Sequence, residues 1–405
     1  MTNANRTIAL LPWYHFLNGL LFWQAVWFLY FQSNLSGAEA IILYSVYDIS
    51  VTVLEVPSGY FSDRIGRRFT LLLSTICSLL GCLALAFGGS FAIFALGQAL
   101  LGAGSAFKSG TDSSLLYESL EASGRADEVE AQELRVWRFV LAGLAVSALL
   151  GGAMTLWSPP MPFYATALAY AFATLLVWFM AEPPRKMSEG LHVQLAALKA
   201  ALLHPVLAWL FALSVLMYGF SHLPFVFGQP FILTALDKTG LATETPLVSG
   251  AVTSVMMLVS VLASLVALRL RRAVGLPLLL LFAFGLQIAL VGALAASTST
   301  LVIAVLLLRI VPDSLSSPFI LARVQPLLQA GTRATYLSLK SLGGKVLFAG
   351  TLLVAATTAQ DAGLLPADDL QRILGWYAIG GIACLVALAL TASGIRIEPP
   401  SHTLL

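Results

Sequence analysis

Long apolar runs separated by short polar stretches make up nearly the whole chain. Twelve runs reach about 20 residues, the length of helix that crosses a bilayer core. Strands of a closed β-barrel would show shorter, alternating segments, whereas these runs are continuous and therefore predict helices. The predicted spans are 9–31, 40–61, 69–90, 91–117, 139–157, 162–181, 205–233, 246–268, 275–297, 299–322, 335–358 and 373–394.

A polar stretch near the middle divides these spans into two sets of six. The pattern predicts an N-terminal six-helix bundle over 1–182, a linker over 183–204 and a C-terminal six-helix bundle over 205–405. Within the linker, Leu191 to Leu203 forms an amphipathic stretch that we expect along the membrane surface. A simple tether is the alternative. The fold expected is an all-α membrane protein with twelve transmembrane helices.

The composition indicates a membrane protein, and the placement of the charges predicts its orientation. Charged residues make up only 10% of the chain, against about 25% in ordinary soluble domains. If the N-terminus is cytoplasmic, sixteen of the 22 lysines and arginines fall in cytoplasmic segments and two in external ones. The positive-inside rule then predicts that both termini are cytoplasmic. We expect a multi-pass protein of the bacterial inner membrane.

A charged, glycine-containing segment joins the second and third predicted spans. Residues 59–68 read Gly-Tyr-Phe-Ser-Asp-Arg-Ile-Gly-Arg-Arg, which we interpret as a short loop. This pattern resembles the signature loop between helices 2 and 3 of the major facilitator superfamily of secondary transporters, and the predicted layout of six plus six spans covers the whole chain in the same way. The matching residues are Gly59, Asp63, Arg64, Gly66, Arg67 and Arg68.

The resemblance implies a gate. In that family the motif aspartate caps the start of helix 11, and the arginines pair with an acid at the cytoplasmic end of helix 4. Here the aspartate is Asp63 and the acid is Glu118. A carboxylate at a helix N-terminus is stabilising, so such contacts would close the cytoplasmic side in one conformation. The alternative is that the arginines only fix the topology.

Two other family patterns are altered. Gln98 stands where the helix-4 pattern often has an arginine, and Ala148 replaces the proline of the helix-5 antiporter pattern. Residues 55–59 and 109–112 still resemble bacterial small-molecule and drug efflux members. The altered positions keep uptake or facilitated diffusion of a metabolite open beside export.

Charged residues inside the predicted spans are costly and mark functional positions. They fall on spans 2, 4, 10 and 11, whereas spans 3, 6, 9 and 12 have none; in the superfamily those four face lipid. We interpret Lys108 with Asp112, and Arg309 with Asp313, as i, i+4 pairs on one helix face. Their depths also suggest that Glu55 and Lys340 bridge the two halves. The candidates for coupling between the halves or for proton transfer are Asp48, Glu55, Asp112, Lys340 and His222.

The expected substrate cavity combines charged, polar and aromatic side chains. Near the predicted midplane, bases outnumber acids, which favours a small anionic or zwitterionic organic solute. Mutual neutralisation of the charges, and interfacial packing of the aromatic rings, are the alternatives. The cavity candidates are Asn18, Trp23, Lys108, Gln229, Arg309, Asp313 and Lys345.

No nucleotide-binding loop, nucleophile elbow or metal-ligand spacing is present in the sequence. We therefore expect no enzyme activity, cofactor, metal or nucleic-acid partner. The function predicted is alternating-access transport, as export of a solute coupled to protons, by a monomer in the lipid bilayer. Besides uptake, a receptor that binds without transport remains an alternative.

Overall fold

The structure is a computed structural model of the chain. Among the residues it describes, the regular secondary structure is helical, and no strand occurs. The described residues are 3–25, 27–32, 35, 37–184, 191–237, 245–296, 301–358 and 367–398.

Sixteen α-helices lie in the described residues, and several predicted spans consist of two of them. The helices are α1 Asn3–Gly19, α2 Trp27–Gln32, α3 Gly37–Ile65, α4 Arg67–Phe87, α5 Phe91–Lys108, α6 Thr111–Ala122, α7 Val129–Met154, α8 Met161–Phe179, α9 Leu191–Leu203, α10 Pro205–Asp237, α11 Thr245–Val274, α12 Leu276–Ala296, α13 Leu301–Leu306, α14 Val311–Val324, α15 Arg333–Thr358 and α16 Ala367–Ala392.

The apolar helices fit a membrane protein. Nine helical segments within the described ranges are long and apolar enough to cross a bilayer. The count of twelve spans and the cytoplasmic termini stay predictions. The stretch predicted as a surface helix in the linker is α9, and its position relative to a membrane also stays a prediction.

Two predicted spans break where their charges lie. Gly110, with a φ of 71°, separates α5 from α6, and a turn over 307–310 separates α13 from α14. Lys108 and Asp112 therefore lie on different helices, and Arg309 lies in the turn that precedes the helix of Asp313. The interpretation of each pair as i, i+4 neighbours on one helix face is wrong, because the helix does not continue between the partners.

The segment predicted as a loop at 59–68 is also different in the structure. Residues 59–65 continue α3 and residues 67–68 begin α4, so only Gly66 is non-helical. Gly66 has a φ of 133°, a conformation that residues with a Cβ rarely adopt. One glycine thus turns the chain, and the motif side chains project from helix ends rather than from a loop.

The chain forms two compact units, and their boundaries do not follow the sequence halves. The first unit contains Met1–Ala200, Pro246–Ser254 and Gln325–Leu342, and the second contains the rest. The start of α15 therefore belongs to the first unit.

In the first unit, α4 packs against α5 and α8, and α1 packs against α7. The approach of α4 to α5 is close, since a Cβ on Gly81 would lie 2.9 Å from the Gly97 carbonyl oxygen. Small residues at such contacts let membrane helices pack tightly. An aromatic core that involves these helices includes Phe31, Phe94 and Phe163. In the second unit, α12 packs against α10, α14 and α16.

Candidate functional site

The carboxylate of Asp63 caps the first turn of α15. Its Oδ1 accepts a hydrogen bond from the Ala334 amide at 3.2 Å, and its Oδ2 accepts one from the Thr335 amide at 2.8 Å. The Thr335 hydroxyl donates a third at 2.6 Å. The first amides of a helix have no partner inside the helix, and the negative charge lies at the positive end of the helix dipole. Asp63 therefore ties the end of α3 to the start of α15.

Arg67 joins this cap to Glu118 on α6. Its guanidinium donates from Nη2 to Glu118 Oε1 at 2.8 Å and from Nε to Glu118 Oε2 at 3.2 Å. Its Nη1 donates to Asp63 and Ser62. The side chain is almost fully buried, with 3% of its surface exposed. A guanidinium suits this position because its planar set of donors can serve several acceptors at once.

Arg333, the first residue of α15, approaches the same carboxylate from the other side. Its Nη1 lies 3.5 Å from Glu118 Oε1 and 3.6 Å from Glu121 Oε2. The guanidinium also lies over the ring of Tyr117, 4.5 Å from the centroid. Glu118 is thus shared by two buried arginines. We call Asp63, Arg67, Glu118 and Arg333 the gate cluster.

The gate cluster borders a cavity of about 260 Å³. The sequence reasoning anticipated Asp63, Arg67 and Glu118 but treated Arg333 only as a topology marker. Arg333 stands two residues before Thr335, whose amide donates to the capping carboxylate of Asp63, so the predicted cap at helix 11 was the signal that could have identified it.

The other two arginines of the motif do not contact Glu118. Arg64 is exposed and donates to the Tyr60 hydroxyl at 2.8 Å. Arg68 donates to the carbonyl oxygens of Val177 and Trp178, at 3.3 and 2.6 Å, at the end of α8. The expectation that the arginines as a group pair with the acid therefore holds for Arg67 alone.

The first turn of α4 has its own carboxylate cap. Glu182 accepts hydrogen bonds from the amides of Arg67 and Arg68, each at 2.8 Å. In the second unit, Glu398 accepts one from the amide of Leu276, which begins α12, at 2.9 Å. Arg271 pairs with Glu398 at 2.7 Å. In each unit, a glutamate therefore caps a helix that begins earlier in the chain: Glu182, after α8, caps α4, and Glu398, after α16, caps α12.

This repetition is visible in the sequence, where Glu-Pro-Pro occurs at 182–184 and again at 398–400. The sequence analysis did not identify this repeat. Gly275, with a φ of 81°, precedes α12 as Gly66 precedes α4.

Gly59 lies where α3 approaches α15. A Cβ at this position would lie 2.7 Å from Ser338 Oγ and 2.8 Å from the Ala334 carbonyl oxygen, so glycine permits the approach. Nearby, the Glu55 side chain is fully buried and accepts a hydrogen bond from the Ser109 hydroxyl. The acid whose charge acts on Lys340 is Glu133, on α7. The pairing of Glu55 with Lys340 stays a prediction.

Several predicted residues of the first unit meet around Asp112. Its Oδ2 lies 3.7 Å from His15 Nε2, and its Oδ1 accepts a hydrogen bond from the Ser113 amide at 2.8 Å. Lys108 interacts electrostatically with His15. Asn18, one turn after His15, is buried and donates to the Tyr14 carbonyl oxygen at 3.0 Å. The sequence reasoning did not choose Glu133 as a site residue.

A second polar group lies in the second unit around Asp313. Its carboxylate accepts hydrogen bonds from the Ser221 hydroxyl at 2.7 Å and from Gln287 Nε2 at 3.2 Å, and it interacts electrostatically with Arg309. His222 lies one residue after Ser221. The charges of Arg309 and Lys345 both act on the imidazole of His222. Four predicted residues therefore form one polar group in the second unit: His222, Arg309, Asp313 and Lys345.

The remaining predicted residues are placed as follows. His222 stacks on Tyr218 with ring centroids 4.0 Å apart. Trp23 stacks on Phe163 at 6.3 Å and packs against the aromatic core of the first unit. Asp48 is exposed on α3. Gln229 lies outside the described side chains.

The chain is similar in fold to several transporters of known structure. The human organic anion transporter MFSD10 (TETRAN) has a TM-score of 0.73 at 15% identity, covering 96% of this chain and 100% of that chain. A bacterial homologue of the iron transporter ferroportin, in its outward-facing state, has a TM-score of 0.72 at 14% identity, with 97% and 100% covered. FucP, in the outward conformation, has a TM-score of 0.71 at 13% identity, with 95% and 98% covered.

At these identities the likeness shows the fold alone. A comparison with curated protein sequences found no match. The family model described as Major Facilitator Superfamily matches residues 8–346. This match covers most of the chain, and together with the apolar helices it identifies a multi-pass integral membrane protein whose family consists of transporters rather than enzymes. The chain belongs to the Major Facilitator Superfamily.

Proposed function

We propose that the protein is a secondary transporter that exports a small organic solute by alternating access, in exchange for protons. The observation that carries this proposal is the gate cluster. Its ionic contacts join four helices, α3, α4, α6 and α15, through side chains rather than through packing alone. Ionic contacts of this kind can form in one conformation and separate in another, which alternating access requires.

Partly buried charges support an ionic solute. Lys108, Arg309 and Lys345 offer positive charge near two helix breaks, and such breaks often form the binding sites of transporters. We propose an anionic or zwitterionic solute, with Lys108 as a candidate ligand in the first unit and Arg309, Asp313 and Lys345 as candidate ligands in the second. We also propose that the protein is a monomer of the bacterial inner membrane.

Proteoliposomes loaded with a pH-sensitive dye test the proposal. Benzoate, phenylalanine and tetraphenylphosphonium serve as anionic, zwitterionic and cationic probes, with protein-free liposomes as the control. We expect the anionic or zwitterionic probe to move protons in the opposite direction to itself, and a protonophore to abolish its accumulation. Proton movement in the same direction as the probe would indicate uptake instead. Transport of the lipophilic cation alone would overturn the charge argument.

A further inference from the structure

Glu133 is the most unusual acid of the first unit. It lies on α7, its surface is 4% exposed, and its Oε1 is buried without a hydrogen-bond partner among the described residues. An ionised carboxylate in such a place costs free energy unless a positive charge is near or a proton neutralises it. Helix packing alone therefore does not account for a carboxyl group at this position.

Two charged groups face Glu133 from other helices. They are Asp112 on α6 and Lys340 on α15, and the charges of both act on the Glu133 carboxyl. Asp112 in turn faces His15 and Tyr14 on α1. We call His15, Asp112, Glu133 and Lys340 the acid–base cluster.

Other charged groups lie on the elements next to this part of α7. Lys108 on α5 acts on His15. In the turn before α7, Glu128 pairs with Arg125 at 2.6 Å, and Asp127 is exposed. The short 3-10 turn at Phe22–Ala25 and the helix α8, which also pack against α7, have no Asp, Glu, Lys, Arg or His.

The two acids of the cluster differ in their partners. Asp112 has His15 and the Ser113 amide, whereas Oε1 of Glu133 has no donor. A proton on the Glu133 carboxylate would neutralise a buried charge whose Oε1 lacks a donor within the described residues. The ligand that this chemistry favours is therefore the proton.

We propose that Glu133 reversibly binds the coupling proton of this transporter, and that Lys340 compensates its charge when the proton leaves. The proton adds to the carboxylate to form a carboxylic acid, and no other bond changes. This inference rests on the proposed function, because it names the proton-binding residue of that coupling. Proton binding at Glu133 would weaken its attraction to Lys340 and so act on α15.

The position of Lys340 connects this event to the gate cluster. Lys340 follows Arg333 by seven residues on α15, which is two helical turns or about 10 Å along nearly the same face. A change in the attraction between Glu133 and Lys340 therefore changes the force on α15, the helix that Asp63 caps and that carries Arg333. The geometry offers a direct route from a protonation event to the contacts of the gate cluster.

Infrared difference spectroscopy of the purified protein, without any solute, tests the proposal. Spectra between mildly alkaline and mildly acidic buffer report carboxyl groups that gain a proton. We expect one protonated-carboxyl band to disappear in Glu133→Gln and to remain in Asp127→Asn, a matched change at an exposed acid on the same side of the bundle. In Lys340→Met, the band should persist into alkaline buffer because the compensating charge is gone.

The outcomes separate the residue from the function. An unchanged spectrum in Glu133→Gln overturns the assignment, even if proteoliposomes show proton exchange. A lost band combined with no solute-driven proton movement leaves Glu133 as a proton site and overturns the proposed coupling. If Glu133→Gln does not fold, Glu133→Asp serves instead; a shifted band supports the proposal and an unshifted one contradicts it.

Discussion

Asp63 and Thr335 are 272 positions apart in the chain, yet the Asp63 carboxylate accepts hydrogen bonds from both the amide and the hydroxyl of Thr335, at 2.8 and 2.6 Å. Both residues belong to the same compact unit. The contact satisfies a helix terminus with a charged side chain from a distant helix, and it is the basis of the first prediction.

Asp63→Ala should destabilise the protein markedly. It removes the cap of α15, worth about 0.5–2 kcal/mol, and leaves Arg67 buried with less compensation, a change that costs about 3–5 kcal/mol when a buried pair is broken. Thermal unfolding in detergent measures the effect. Arg64→Ala is the control, because Arg64 is exposed in the same motif, and its midpoint should hardly change. Equal midpoints for both variants would contradict the prediction.

Arg67→Lys should behave as a disruptive change. A lysine ammonium cannot reproduce the two parallel hydrogen bonds to Glu118 while also reaching Asp63. We expect transport to fall at least about tenfold, since losing one charge-assisted hydrogen bond costs about 1.5–3 kcal/mol. Solute flux in proteoliposomes, corrected for protein amount, measures this. Arg64→Lys is the matched control, and an equal effect of the two changes would show that the fork geometry is unimportant.

Charge reversal distinguishes two partners for Lys340. The depths predicted from the sequence pair Lys340 with Glu55. In the structure, Lys340 interacts electrostatically with Glu133. We expect Lys340→Glu to abolish transport and the double variant with Glu133→Lys to restore part of it. The double variant with Glu55→Lys should not recover, because Glu55 is held by Ser109. Recovery only with Glu55→Lys would support the sequence-based pairing instead.

Substitution of either glutamate of the two Glu-Pro-Pro sequences should lower the stability of the protein. Glu182→Gln and Glu398→Gln each replace a negative charge at a helix N-terminus with a neutral amide, and each should cost about 0.3–1 kcal/mol of stability. Glu398→Gln should be the more severe, since it also breaks the pair with Arg271. Unfolding midpoints in detergent, with Asp127→Asn as the exposed control, measure the effects. An unchanged midpoint in both variants would show that the caps are dispensable.

Three of the four residues of the gate cluster were predictable, because Asp63 and Arg67 lie in a short, specific motif and the family pattern names the acid that pairs with it. Asp63, Arg67 and Glu118 follow from the family resemblance, and a carboxylate at a helix N-terminus has an evident physical reason. Arg333 was missed because its partner lies far away in the sequence, and sequence spacing says nothing about contacts between distant helices.

The helix breaks and the burial of Glu133 were harder to anticipate. Apolar periodicity runs through the break at Gly110, since a single left-handed glycine leaves the composition of the span unchanged. Glu133 lies in a polar stretch between two apolar runs, where an exposed face is the usual expectation. Only the extension of α7 back to Val129, well before the predicted span at 139–157, places this residue inside the protein.

The assignment of residues 325–342 to the first unit bears on how chimaeric transporters are made. A chimaera joined at the linker between Pro184 and Leu191 takes Asp63 and Glu118 from one parent and Arg333 and Thr335 from the other. Such a hybrid inherits a mismatched gate cluster even when each bundle is intact. Moving residues 325–342 together with the first half keeps the four side chains from one parent and makes the exchange of substrate specificity between relatives a cleaner experiment.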